Sequence, residues 1–176
     1  IRDITNNLLE KNRGQHEGVS NSMPSAANVA EFPEVCLLSS IISPVVSEKH
    51  LQFESRPGVE IDFELAPESY GLFARVQPVE FKRMISNLVN NAVESFDGKG
   101  DVNISLAQEG ENIALTVADN GKGIPADILP RLGQRGETHG KTGGSGLGLY
   151  HARTTAERWG GGFVIASELG KGTIVT

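Results

Sequence analysis

Residues 78–96, PVEFKRMISNLVNNAVESF, constrain the fold more than any other segment of the chain. Apolar side chains recur there at intervals of three and four residues, which predicts one long amphipathic helix. The apolar positions are Phe81, Ile85, Leu88, Val89, Ala92 and Phe96. Such a helix must bury its apolar face against a second layer of structure. Its three asparagines are poor helix formers, so they cost stability unless they have a role. Asn87 and Asn91 share a face, whereas we expect Asn90 to face solvent.

The segments around this helix alternate between apolar and polar residues, as half-buried strands do. Strands are predicted at 59–65, 71–76, 101–109 and 113–119, with two more around a turn at 169–172. Residues 147–160 predict another helix, and residues from Val35 onward predict a short strand that runs into a helix containing Pro44. This order predicts an α+β fold, a two-layer α/β sandwich with a mixed, mostly antiparallel sheet and helices on one face.

Composition restricts the class of protein further. The net charge of −6 argues against a broad nucleic-acid surface. The sequence contains no apolar run of about 18 residues that could span a membrane, and we expect no signal peptide. Its one cysteine, Cys36, is consistent with a reducing compartment. We therefore expect a cytoplasmic fragment of a longer protein, with no nucleic-acid partner and no membrane contact of its own.

Residues 143–149, GGSGLGL, form a glycine-rich segment that opens the helix predicted from Leu147. A polar loop precedes it instead of a strand, which argues against a dinucleotide-binding loop. A P-loop that ends at Gly140-Lys141-Thr142 would need glycine at the position of Arg135. The unpaired N–H groups of a helix start can bind phosphate, and glycine allows a close approach. The segment is therefore either a phosphate-binding loop or a hinge without a ligand.

Residues 119–125, DNGKGIP, directly follow a predicted strand. A carboxylate at Asp119 only accepts hydrogen bonds, which suits an exocyclic amine such as that of adenine. Gly121 and Gly123 leave room for a flat ring, and Ile124 can pack against it. The alternative is a simple turn, which Asp-Asn-Gly also favours. On the long helix, the amide oxygen of Asn91 would suit Mg²⁺.

Together, these three segments resemble the nucleotide-binding boxes of the GHKL ATPase superfamily, and in particular the catalytic ATP-binding domain of a sensor histidine kinase. NLVNNA is similar to the N box, and DNGKGIP and GGSGLGL are similar to the two glycine boxes. SELGKGT (167–173) resembles the closing hairpin, which places Thr173 near the phosphates. The resemblance covers roughly 34–176 and implies the Bergerat-type sandwich. It also implies that residues 1–13 are the tail of a dimerisation and phosphoacceptor helix and that 14–33 are a linker.

The resemblance further implies a set of site residues. Those expected to bind ATP are Asn87, Asn91, Asp119, Gly121, Gly123, Ile124, Lys141, Gly144, Ser145, Gly146, Leu147, Gly148, Leu149 and Thr173. Ile124 and Leu149 would line the adenine ring, and Asn91, helped by Asn87, would bind Mg²⁺. Asn87, Asn91 and Lys141 are the expected catalytic residues. The implied partners are the dimerisation helices of the same protein, as a homodimer, and a response regulator.

Position 87 distinguishes the branches of the superfamily. Hydrolysing members have a glutamate there that acts as general base, and the amide of Asn87 cannot take a proton. The resemblance therefore implies transfer of the γ-phosphoryl group to a histidine that lies before Ile1. An anti-sigma-type serine kinase and a non-catalytic nucleotide-sensing module are the alternatives.

One position and one segment depart from the family pattern. Glu94 stands where relatives often have a basic residue, and the segment 128–141 lacks the usual phenylalanines, which leaves the phosphate contact to Arg135 or Lys141.

None of the four histidines is expected to be the phosphoryl acceptor. His16 lies in the predicted linker, and His50 and His151 are expected on helix surfaces. His139, next to the glycine-rich segment, is the one that we expect could reach the phosphates. Trp159 and Tyr150 are expected to pack in the core or between helices.

Overall fold

The computed structural model describes residues 32–132 and 147–176. The strands in these ranges are β1 (Glu34–Leu37), β2 (Val59–Leu65), β3 (Phe73–Val76), β4 (Gly100–Glu109), β5 (Asn112–Asp119), β6 (Ile165–Glu168) and β7 (Gly172–Val175). The α-helices are α1 (Leu38–Phe53), α2 (Pro78–Glu94) and α3 (Leu147–Arg158), and short 3₁₀ turns occupy Pro67–Ser69 and Leu129–Arg131. Pro44 lies in the interior of α1, and the helix continues past it. In this part of the chain, no helix is both long and apolar enough to cross a membrane.

Five strands form a mixed sheet in the order β2-β4-β5-β7-β6. The pairing of β2 with β4 is parallel, and the other three pairings are antiparallel. This confirms the predicted α/β sandwich with a mixed, mostly antiparallel sheet. The strand predicted at 71–76 begins only at Phe73, and it pairs with β1 in a separate two-stranded ribbon. The alternation of residues predicted a strand at this position, but it did not predict that the strand would pair with β1.

The core lies between the helices and one face of this sheet. Alternate residues of β4 are buried, namely Val102, Ile104 and Leu106, while the residues between them are more exposed. The predicted apolar face of α2 packs against them, and its side chains there are at most 8% exposed. Trp159 packs at the edge of the same core with its ring 6.2 Å from that of Phe81, which confirms its packing role.

Two polar residues expected on the surface are engaged between elements. The side chain of Asn90 accepts a hydrogen bond from the buried Lys49 of α1, with 2.8 Å between Nζ and Oδ1. Burial lowers the pKa of the Lys49 ammonium, and the amide oxygens of Asn90 and Gln52 solvate it. His151 of α3 is only 17% exposed and lies 2.5 Å from a carboxylate oxygen of Glu80 in α2. The predicted solvent-facing positions of Asn90 and His151 were therefore wrong, because the partner comes from another helix in each case.

Candidate functional site

Asp119 is the last residue of β5, and its carboxylate is half-buried at the end of the strand. Its Oδ1 accepts a hydrogen bond from the backbone N–H of Gly121 at 2.9 Å and lies 3.1 Å from the hydroxyl of Ser95. Desolvation raises the pKa of Asp119 above its usual range, although hydrogen bonds from Gly121, Ser95 and the backbone of Thr173 lower it. Carboxylates whose pKa is raised by burial are common at ligand-binding sites.

Three glycines in the loop after Asp119 and in β7 pack so closely against neighbouring groups that a side chain there would clash. A Cβ at Gly121 would lie 1.7 Å from the Ser95 hydroxyl oxygen, and a Cβ at Gly172 would lie 1.9 Å from the Asp119 carbonyl oxygen. Gly123 has a φ of +66°, and its Cβ would lie 2.0 Å from the carbonyl oxygen of Glu168. Because residue 121 is glycine, the loop backbone can lie close to the Ser95 side chain, and glycine at 123 and 172 allows a close approach to backbone carbonyl groups. The glycines predicted at 121 and 123 have a packing reason as well as the expected functional one.

The loop that follows Asp119 is held by hydrogen bonds to three other parts of the chain. Asn120 and Asp101 form a reciprocal pair, in which the Asn120 side chain donates to the Asp101 carboxylate at 2.7 Å and accepts from the Asp101 backbone N–H at 2.8 Å. The backbone N–H of Lys122 donates to the carbonyl of Ser95, and the carbonyl of Lys122 accepts from Gly170. These bonds hold the loop in place beside Asp119.

The same loop is tied to the closing hairpin through Ser167. Its hydroxyl oxygen accepts the backbone N–H of Ile124 at 2.9 Å, and it lies 2.7 Å from the Gly172 carbonyl and 3.0 Å from the Thr173 hydroxyl. Thr173 is 8% exposed and pairs with Asp119 across the β5–β7 ladder. The structure thus brings Asp119, Gly121, Gly123, Ile124 and Thr173 together. Thr173 lies beside the carboxylate expected to contact adenine, whereas the resemblance placed it near the phosphates.

The second part of the site lies where α3 meets α2. A Cβ at Gly148 would lie 3.6 Å from the amide nitrogen of Asn91 and 3.7 Å from the Cβ of Asn87. The start of α3 therefore faces the two asparagines that share a face of α2. The first turn of a helix offers unpaired N–H groups and the positive end of the dipole. The contact places the start of α3 beside two amide side chains.

Two leucines at this helix start have different surroundings. Leu149 packs against the hydrophobic core, whereas Leu147 is 47% exposed.

The remaining predicted ATP-binding residues, Lys141, Gly144, Ser145 and Gly146, lie outside the described residues, as do Arg135 and His139.

The donors available to a metal ion are amide oxygens. In the described part of the chain, no group of three or more His, Cys, Asp or Glu side chains could hold a metal. Asn87 and Asn91 supply hard oxygen donors, which suit Mg²⁺ because it keeps several waters and binds phosphate oxygens instead of requiring a full protein cage. The residues present therefore fit a magnesium ion that arrives with a phosphate ligand.

Ser95 contacts Asp119 in this candidate site, and it was not among the predicted site residues. It is the C-cap residue of α2 and contacts Asp119 from a distance of 24 positions along the chain. A signal was present, because Asn87, Asn91 and Ser95 are spaced by four residues and so follow one stripe of the helix.

The chain is similar to known sensor kinases. It is 29% identical over 152 residues to the sensor histidine kinase RppB of Synechocystis sp., an alignment that covers 84% of this chain and 33% of RppB. It is 32% identical over 148 residues to the histidine protein kinase SaeS of Staphylococcus epidermidis, and that alignment covers 80% of this chain and 40% of SaeS. The chain thus spans between a third and two fifths of the length of these relatives.

The fold is also similar to solved structures. The catalytic domain of histidine kinase ThkA, in a nucleotide-free form, superposes with a TM-score of 0.71 at 22% identity, covering 81% of this chain and 91% of that domain. Full-length ShkA, solved in complex with AMPPNP, superposes with a TM-score of 0.67 at 22% identity, covering 83% of this chain and 31% of ShkA. At these identities the similarity establishes the fold.

Residues 76–176 match the sequence profile of the histidine kinase-, DNA gyrase B- and HSP90-like ATPases. The matched region contains every described residue of the site, from Asn87 on α2 to Thr173 on β7. Since the match covers more than half of the 176 residues, the protein belongs to the family of histidine kinase-, DNA gyrase B- and HSP90-like ATPases.

Proposed function

We propose that this chain is the ATP-binding catalytic domain of a two-component sensor histidine kinase. It would bind Mg-ATP and transfer the γ-phosphoryl group to a histidine on a dimerisation helix outside the chain. The observation that carries the proposal is the placement of a half-buried acceptor carboxylate, Asp119, in the same domain as the contact between Gly148 and the Asn87–Asn91 pair. RppB and SaeS, which are similar to this chain, are named as histidine kinases.

Asp119 would recognise the adenine base. An ionised carboxylate accepts hydrogen bonds only, so it selects a base with an amino group at the contact position. Gly121 and Gly123 let the loop backbone lie close to Ser95 and to the Glu168 carbonyl, which sets the position of the loop beside the carboxylate. Ile124 would offer an apolar contact for the ring. Thr173 lies next to Asp119 in the neighbouring strand and would bound the site on that side.

The start of α3 would bind the phosphates. Backbone N–H groups of Gly146, Leu147 and Gly148 would donate to phosphate oxygens, with Gly144, Ser145 and Lys141 contributing from the preceding segment. Asn91, helped by Asn87, would hold Mg²⁺, which neutralises phosphate charge when bound. The role of these residues is to position the phosphates and to balance their charge.

Asn87 favours transfer of the phosphoryl group over hydrolysis. An amide side chain cannot remove a proton from water, so this position cannot supply the general base that a hydrolase needs. The acceptor would instead be brought to the site on a separate helix. We propose that residues 1–13 are the end of that helical hairpin, 14–33 a linker and 34–176 the catalytic domain of a cytoplasmic portion, with a homodimeric parent protein and a response regulator downstream.

The test is phosphorylation of the longer protein that contains this chain, with ATP labelled in the γ-phosphate. We expect a protein-bound phosphoryl group that is lost in acid and stable in alkali, as phosphohistidine is. Asn91→Ala should reduce the rate by at least tenfold, since one amide ligand and its charge-assisted bonds are worth about 1.5–3 kcal/mol. Asn112→Ala, at an exposed position of β5, is the matched control and should leave the rate unchanged.

Two outcomes would replace the proposal. An acid-stable phosphoryl group would indicate a serine kinase. Binding of ATP without any transfer by the intact dimer would indicate a nucleotide-sensing module.

A further inference from the structure

Ser95 lies at the end of α2, with its hydroxyl between two oxygen atoms. Its Oγ is 2.7 Å from the carbonyl oxygen of Ala92 and 3.1 Å from Oδ1 of Asp119. A hydroxyl has one proton, so it can donate fully to only one of them. The side chain is half-buried, so water does not replace the lost partner freely.

The carboxylate gains more from this proton than the Ala92 carbonyl does, although the hydroxyl oxygen lies closer to the carbonyl. The Ala92 carbonyl already accepts the backbone N–H of Ser95 at 3.0 Å. An ionised carboxylate is also the stronger acceptor, because charge-assisted hydrogen bonds are roughly twice as strong as neutral ones. With the Gly121 N–H on the same Oδ1, the Ser95 hydroxyl would supply a second donor to that oxygen.

We propose that Ser95 is a positioning residue for base recognition, which orients the Asp119 carboxylate so that it accepts a hydrogen bond from the exocyclic amine of adenine. This inference rests on the proposed ATP site. The additional claim is that the preference for a purine with an amino group depends on Ser95, which does not itself contact the base.

The close packing of Gly121 against Ser95 supports this role. A Cβ at position 121 would lie 1.7 Å from Ser95 Oγ, 2.7 Å from Ser95 Cβ and 2.9 Å from Asp119 Oδ1. The loop backbone can therefore approach the carboxylate only because residue 121 is glycine, and the serine fills the space that remains. A serine that only capped its own helix would not need this close fit with the loop.

The experiment uses two nucleotides that differ only in the amine. Affinities for ATP and for purine riboside triphosphate, which lacks the 6-amino group, are measured by calorimetry with Mg²⁺ for the wild type and for Ser95→Ala. We expect the wild type to prefer ATP. Ser95→Ala should weaken ATP binding by about 3- to 10-fold and leave the affinity for the purine analogue unchanged within about twofold. The preference for the amine should shrink by the same factor.

Ser47→Ala is the matched control, because within the described residues the Ser47 hydroxyl bonds only to a carbonyl of its own helix, that of Ser43 at 3.1 Å. It should change neither affinity. If Ser95→Ala does not fold, Ser95→Cys keeps the shape with a weaker donor and should reduce the preference in the same direction.

An equal loss for both nucleotides, or no loss for either, would overturn the role of Ser95 while leaving the ATP site intact. A wild type that binds neither nucleotide would overturn the proposed function itself. A wild type that binds both equally would remove the contact between Asp119 and the amine, and the role of Ser95 with it.

Discussion

At the scale of single residues, Asp119 combines a folding cost with the binding role that we propose for it. Its carboxylate loses hydration at the end of β5, and the hydrogen bonds from Gly121, Ser95 and Thr173 compensate only in part, so its pKa stays raised. The sequence identified Asp119 because it follows a strand and precedes Asn-Gly. The four-residue spacing from Asn91 places Ser95 on the same stripe of α2, but its contact with Asp119 depends on how α2 packs against β5.

The raised pKa predicts how Asp119→Asn changes stability with pH. A folded-state pKa above the unfolded value means that the contribution of this group to stability is present below the unfolded pKa and is lost as the pH rises through the folded pKa. At neutral pH the ionised carboxylate is therefore destabilising relative to a neutral amide of the same shape. Without nucleotide, Asp119→Asn should melt a few degrees above the wild type at pH 7.5.

Thermal unfolding followed by circular dichroism measures this difference. The gap in Tm should narrow as the pH falls toward about 4, the ordinary range of an aspartate pKa. A variant that melts below the wild type at neutral pH would show that the hydrogen bonds to the charged form outweigh desolvation.

At the scale of elements, periodicity predicted the helices and strands but not their partners. The apolar face of α2 and the alternation of β4 follow from the sequence, because each pattern is local. Asn90 and His151 were placed wrongly because Lys49 and Glu80 reach them from 41 and 71 positions away. The pairing of β3 with β1 instead of the main sheet was missed for the same reason.

The junction of β5 and β7 gives a prediction at this scale. Gly172 has a φ of +107°, and a Cβ there would lie 1.9 Å from the Asp119 carbonyl oxygen. Gly172→Ala should therefore force the two strands apart beside the site and cost at least about 2 kcal/mol, since it combines backbone strain with a steric clash. Urea unfolding measures the loss. Gly71→Ala is the control, because a Cβ there meets nothing within 4 Å and its φ is ordinary. Equal stabilities of the two variants would contradict this account of the junction.

At the scale of the whole molecule, the site is assembled from segments that are distant in sequence. The end of β5 and its loop supply the acceptor carboxylate, α2 supplies the asparagines, and the first turn of α3 supplies backbone N–H groups. The match to the histidine kinase-, DNA gyrase B- and HSP90-like ATPases confirms the family that the three motifs indicated. The motifs were recognisable because each is contiguous, whereas the hydrogen bonds that hold them together become visible only in the fold.

The central claim is that this domain binds ATP through Asp119, and calorimetric titration of the chain with Mg-ATP tests it most directly. We expect one binding site in the wild type and a loss of affinity of at least tenfold in Asp119→Asn, because a hydrogen bond to a charged group is worth about 1.5–3 kcal/mol. Asp62→Asn, on the exposed side of β2, should bind like the wild type. Unchanged ATP affinity in Asp119→Asn would contradict the claim.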